Sequence, residues 1–138
     1  MSSEGSSWSI TYFDEDRFIR SVKELPQDTQ VLIKIAIRHI LTKQGLSLAR
    51  TPWLKSLGGG LWEFRIGPSA KAVVSKAGDS SARLARNSKV LIRVYCTFTN
   101  DQIAVLGMFD KQRHGSGSKQ SQSIAIARKQ LLTFKTEK

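Results

Sequence analysis

Two short segments constrain the fold of this chain more than any others: Leu61-Trp62-Glu63-Phe64-Arg65-Ile66 and Leu91-Ile92-Arg93-Val94-Tyr95-Cys96-Thr97-Phe98. Side chains on a β-strand alternate between faces with period 2. Read that way, Trp62, Phe64 and Ile66 share one face of the first segment, and Glu63 and Arg65 share the other. In the second, Ile92, Val94, Cys96 and Phe98 line one face, with Arg93 and Tyr95 opposite. If the strands are neighbours, one side of the sheet is core, and the other presents two guanidiniums, a carboxylate and a phenol. A planar, permanently charged fork matches a phosphate group. The backbone of a nucleic acid is therefore the first ligand to consider.

Charge points the same way. The 138 residues carry a net charge of +11, unevenly spread. Residues 1–28 hold six acids against three bases, whereas the rest of the chain holds 19 bases against five acids. Such a balance bears on partners rather than on fold, and RNA, DNA, an acidic protein or an anionic membrane surface would each complement it. No apolar run approaches the roughly 18–20 residues of a membrane span. The polar opening, Met1-Ser2-Ser3-Glu4-Gly5-Ser6-Ser7, lacks the apolar core of a secretory signal. Cys96 is the single cysteine, so no internal disulfide can form, and its place on an apolar strand face makes it a packing residue. A cytoplasmic protein with no membrane partner is expected, and the length favours one domain over residues 1–138, with a polar tail at 1–7.

Along the chain, Trp8-Ser9-Ile10-Thr11-Tyr12 alternates as a first strand. Asp14 or a neighbour can cap a helix running to about Leu25, with Phe18, Val22 and Leu25 on one stripe and acids in its first turn. Pro26 ends it. A second helix is expected from about Asp28 to Gln44, stopped by Gly45, and the two form a helical hairpin. Residues 45–60 read as a connector holding Pro52 and three successive glycines. After the strand at 61–66 comes a basic insert, 67–89, with Lys71, Lys76, Arg83, Arg86 and Lys89 against the single acid Asp79. Loops of this length are uncommon inside compact domains. The strand at 90–98 turns at Thr99-Asn100-Asp101 into Ile103 to Phe109, a hairpin. A polar, Gly- and Ser-rich loop over 110–122 leads to a last helix from about Ser123 to Phe134. The order β-α-α-β-β-β-α describes an α+β fold: a small, mainly antiparallel sheet with helices on one face.

Several chemistries drop out. One cysteine and two separated histidines, His39 and His114, make no metal-ligand spacing. Gly58-Gly59-Gly60 precedes a strand instead of opening a helix, so it reads as a turn and not a phosphate loop. No nucleophile elbow is present, and no cofactor is implied. What remains is a basic cluster: Arg65 and Arg93 on the non-core face, Lys55 ahead of the glycine turn, and Lys111 and Arg113 just past the last strand. Arg93 lies mid-strand among strong β-formers, where mere solvent exposure would favour Thr or Ser. Glu63, two residues from Arg65 on the same face, would pair with it and orient it.

Four motifs occur in order: Trp53-Leu54-Lys55-Ser56-Leu57, Gly60-Leu61-Trp62-Glu63-Phe64-Arg65-Ile66, Arg93-Val94-Tyr95, and Ala104-Val105-Leu106-Gly107-Met108-Phe109-Asp110-Lys111. Together they resemble the HigB branch of the RelE-like toxin superfamily, including its phage-derived members, over about residues 50–134. The family pattern runs "G-L-W-E-L-R", then "R-V-x-Y/F", then a strand ending "L-x-x-F-x-K-K", then a closing helix. The resemblance implies a RelE-like fold and a ribosome-dependent mRNA endonuclease, the toxin of a type II toxin–antitoxin system. Such toxins cut mRNA in the ribosomal A site. The 2′-hydroxyl attacks the adjacent phosphate, and basic side chains stabilise the charge that develops. By motif position Arg93 would hold the scissile phosphate, Arg65 would back it, and Lys111 would stabilise charge or move a proton. Tyr95 would stack or assist, and His114 has the intrinsic pKa of an acid or base.

Lys55, Arg113, Arg83 and Arg86 are candidate RNA contacts. The implied partners are ribosome, mRNA and a cognate antitoxin, acidic or of helix-turn-helix type. The pattern is incomplete: the second lysine of "F-x-K-K" is Gln112 here, with Arg113 a candidate replacement. Lys119-Gln120-Ser121 stands where "K-T-P" is usual, and the 67–89 insert replaces a short turn. A non-catalytic RNA- or ribosome-binding module on the same fold is the alternative reading.

Overall fold

The computed structural model describes residues 8–67, 90–114 and 117–136. The polar tail, nearly all of the basic insert with Arg83 and Arg86, and the His114 side chain lie outside the described residues.

Strand β1 (Ser9–Tyr12) leads into helix α1 (Glu15–Lys23). The Asp14 carboxylate accepts the Arg17 N–H at 3.1 Å and caps the helix, and Glu15 and Asp16 lie at its positive end. Phe18, Val22 and Leu25 are buried, as the stripe anticipates. Helix α2 (Gln27–Ala36) runs on through a π-helical turn (Ile37–Leu41) and a last α-helical turn (Thr42–Gln44). The π turn brings the successive apolar residues Ile37, Ile40 and Leu41 into the core together. Gly45, at φ +50°, ends the run, and the Trp8 indole occupies the space where a side chain at that position would stand. Trp8 also donates its N–H to Thr42 O at 2.7 Å, tying the start of β1 to the end of the hairpin.

The remaining strands are β2 (Leu54–Gly58), β3 (Leu61–Ile66), β4 (Ile92–Thr99) and β5 (Gln102–Asp110). They form one five-stranded sheet ordered β1-β5-β4-β3-β2, antiparallel except for the β1–β5 pair. The chain closes with a short helix α3 (Lys111–His114) and the long helix α4 (Gly117–Thr136). The α+β, mostly antiparallel architecture matches expectation.

Three expectations need correction. Residues 45–60 are not a bare connector: a 3-10 segment (Gly45–Arg50) is followed by β2. Residues 110–122 are not one loop. Asp110 accepts the N–H groups of Gln112 and Arg113 to start α3, and α4 begins at Gly117, well before Ser123. Nor do the helices share one face. The hairpin α1–α2 covers Phe64, Ile66, Ile92, Val94, Cys96, Ile103 and Val105, while α4 packs Ala127 and Leu131 against Leu61, Tyr95, Leu106 and Phe109 on the other side. A bulge in the β4–β5 ladder makes this possible. Tyr95 pairs with Gly107 but Cys96 with Val105, so Leu106 is the extra residue and turns its side chain into the second cluster.

The glycine turn behaves as expected and gains a second tie. Gly58, Gly59 and Gly60 all have positive φ (+89°, +66° and +91°), a region that costs an L-residue roughly 1–2 kcal/mol. From α4, Arg128 donates to Gly58 O and Leu57 O (3.0 and 2.9 Å), and Lys135 donates to Gly59 O (3.3 Å).

Candidate functional site

Register brings the singled-out strand residues into two adjacent rows on the α4 face. Lys55 pairs with Glu63, and Glu63 with Tyr95. One step along, Arg65 pairs with Arg93. Antiparallel neighbours in register point the same way, so the two guanidiniums flank a single carboxylate. Glu63 Oε1 lies 3.5 Å from Arg65 Nε and 3.9 Å from Arg93 Nε. Glu63 and Arg93 are buried, 3% and 6% exposed, while Arg65 is partly open to solvent.

Arg93 is under-satisfied. Its Nη1 donates to Ile92 O at 3.2 Å, but its buried Nε has no hydrogen-bond partner among the described residues. Burial pulls its pKa down, the Arg65 guanidinium adds to that pull, and Glu63 opposes it. An arginine so placed stays cationic at neutral pH. It is short of both an acceptor and negative charge, and an anion supplies the two together.

The N-terminal part of α4 completes the cluster with Gln120, expected in a loop, and Ser123, expected at the very start of the helix. Gln120 Nε2 donates to Glu63 Oε2 at 3.2 Å. Ser123 donates its only hydroxyl proton to Gln120 O at 2.8 Å, so in its 2.8 Å contact with Tyr95 the tyrosine O–H is the donor. A continuous chain of contacts thus runs from Tyr95 through Ser123 and Gln120 to Glu63 and the arginines. Tyr95 is 1% exposed, and burial raises its pKa against the opposing pull of the Ser123 hydrogen bond. The phenol stays protonated and its proton is committed. Its ring belongs to the α4 cluster instead of offering a stacking surface.

The other singled-out residues divide. Lys55 is exposed beside Glu63 on edge strand β2. Lys111 follows the last β5 residue and donates its N–H to Leu91 O at 2.8 Å, two residues beyond Phe109, the partner of Arg93. Arg113 is not brought in: its Nη1 lies 4.0 Å from Glu24 Oε1 and 3.5 Å from Glu24 O, near the end of α1. Among the described residues no group of three or more metal-ligating side chains gathers. Gln120 and Ser123 escaped sequence analysis because Ser, Gln and Gly dominate that stretch. Their spacing of three, one helical turn, was the available signal.

No protein-family model matches this chain, and comparison with curated proteins and with solved structures finds no match.

Proposed function

We propose that this chain is the toxin of a type II toxin–antitoxin pair, a ribosome-dependent mRNA endonuclease. The observation that carries the reading is the buried Arg93, flanked by Arg65 and lacking an acceptor for its Nε. In this reading Arg93 and Arg65 bind the scissile phosphate of mRNA. The 2′-hydroxyl attacks phosphorus, the bond to the 5′-oxygen breaks, and a 2′,3′-cyclic phosphate remains. The transition state gathers negative charge on its non-bridging oxygens, where fixed cations act most strongly. Glu63 holds both guanidiniums in place, and Gln120 holds Glu63. Lys55 and Lys111 extend the cationic surface along the RNA. The requirement for a 2′-hydroxyl restricts cleavage to RNA.

Expression should arrest growth, and primer extension should find cut transcripts. Arg93→Ala should reduce cleavage on ribosomes by at least about 100-fold, the usual cost of one charge-stabilising donor, with an unchanged circular dichroism spectrum. Full toxicity of a folded Arg93→Ala protein would sink the assignment. Equal cleavage of naked RNA would remove the ribosome from the proposal.

A second reading has its own observation. Glu63 is paired with both arginines and the Tyr95 proton is held by Ser123, so two groups that could move protons are already engaged. The chain would then bind RNA or ribosomes without cutting. Its signature is ribosome association with intact transcripts, and affinity for single strands falling by about 0.7 log unit per log unit of salt for each phosphate neutralised.

A further inference from the structure

On the opposite side of the sheet from the arginines, α1 and α2 splay apart over the edge strand β1. Between them lies a cavity of about 480 Å³. Phe18, Ile19 and Val22 wall it from α1, Ile33 from α2 and Ile37 from the π-helical turn, with Ile10 and Tyr12 of β1 as its floor. The α1 residues recur at i, i+1 and i+4, and Ile33 and Ile37 stand at i and i+4 along α2 and its π-helical continuation, so the trough follows one face of each helical run. Along α2 and the π-helical turn that continues it, the lining extends from Gln30 to Thr42, which at 1.5 Å per residue is about 18 Å. That is the length of roughly three helical turns. Ile19 on its wall is 40% exposed, a large apolar side chain left open to water.

The rim is cationic. Lys23, Lys34 and Arg38 border the trough against the single acid Glu15. None of the three cations makes an ion pair among the described residues. Of the six acids in residues 1–28, only Glu15 lines the trough. An elongated apolar trough with unbalanced positive edges complements a helix with an apolar stripe and acidic flanks.

We propose that the α1–α2 trough is a docking site for an acidic amphipathic helix of a partner protein, separate from the arginine cluster. Apolar side chains of the helix enter between Ile19 and Ile37, and its flanking carboxylates meet Lys23, Lys34 and Arg38. A partner seated here leaves Arg65 and Lys55 uncovered on the other face.

The test uses the full chain and a labelled helical peptide of about four turns, with Leu at i, i+3, i+4 and i+7 and Glu on both flanks. Fluorescence anisotropy should show saturable binding. Ile19→Asp, and separately Lys34→Glu with Arg38→Glu, should each weaken it by at least about tenfold, whereas Arg65→Ala on the far face leaves it unchanged. Ile19 is exposed and Lys34 and Arg38 are surface residues, so these variants are expected to fold. Failure to saturate overturns the proposal. So does equal binding of the same peptide with Lys flanks, or loss of binding in Arg65→Ala. Displacement of the peptide by dodecanoate at stoichiometric concentration would assign the trough to a small amphiphile. A dimer dissolved by Ile19→Asp would assign it to a second copy of this chain.

Discussion

The two faces of the sheet are built from the same strands and differ in almost everything else. Toward α1 and α2 the buried contacts are apolar apart from Thr29, from Phe64 and Val94 to Cys96 and Val105, joined by Trp8, Trp62 and Phe98 in edge-to-face ring contacts. Toward α4, buried Glu63, Arg93 and Thr97 stand among Leu61, Leu106, Phe109 and Leu131. The first face needs only shape complementarity, and many apolar sequences would serve. The second must satisfy charge in low dielectric, which demands named partners at fixed distances. A face that carries such a cost without full satisfaction, as the orphaned Arg93 Nε shows, is where a ligand has most to gain.

Substitutions on both faces test this contrast, taken from the largest effect downward. Phe64→Ala removes a fully buried ring stacked on Trp53 at 6.0 Å. It should cost about 3–5 kcal/mol in urea unfolding, the usual range for a core aromatic. Because Phe64 faces the helical hairpin, the RNA binding proposed for the other face should be unaltered in whatever fraction remains folded. A folded Phe64→Ala protein with weakened RNA affinity would show that the faces are not independent.

Glu63→Ala acts on the other face. It strands two guanidiniums side by side, one of them buried, and should cost about 3 kcal/mol. The double variant Glu63→Leu, Arg93→Met replaces the buried pair with apolar volume and should recover at least about half of that loss. Under the proposed endonuclease reading, the same double variant should have no nuclease activity. If Glu63→Ala instead costs less than about 1 kcal/mol, the face behaves as ordinary solvated surface, and the contrast collapses.

The contrast also separates what the sequence made legible from what it did not. Period-2 alternation located β1, β3 and β4 and assigned Arg65, Arg93 and Glu63 to the face away from Phe64 and Val94, and the turn at Thr99-Asn100-Asp101 located β5. The stripes in α1 and α2 were equally plain, because each helix buries one face against one sheet. β2 was hidden: as an edge strand it is paired on one side only, its Lys55 and Ser56 are exposed, and glycines follow at once. Helix α4 was half hidden. Ala127 and Leu131, four residues apart, mark its buried stripe, but its opening turns, rich in Gly and Ser, carry weak helix propensity. Those turns bring in Gln120 and Ser123, so the least legible helix holds the partners of the most legible strands. Alternation separates core from non-core. It does not say whether the non-core face meets water or another helix.

The smallest effect examines that hidden contact. Tyr95→Phe removes the hydrogen bond to Ser123 and should cost about 1 kcal/mol. Ser123→Ala should cost a similar amount, and the double variant less than the sum, since both singles break the same bond. The pH dependence has a definite sign. Burial raises the Tyr95 pKa in the folded state, so its contribution is fully present below the ordinary tyrosine value of about 10 and is lost as pH rises through the raised value. Tyr95→Phe should therefore flatten part of the alkaline loss of stability, while Tyr12, whose pKa is also raised by burial and by Glu15, keeps the remainder. If Tyr95 acts only by holding α4 over the arginines, Tyr95→Phe keeps most of its cleavage activity. A loss as large as that of Arg93→Ala would instead place the phenol at the reacting phosphate, which requires α4 to move off its face when RNA binds.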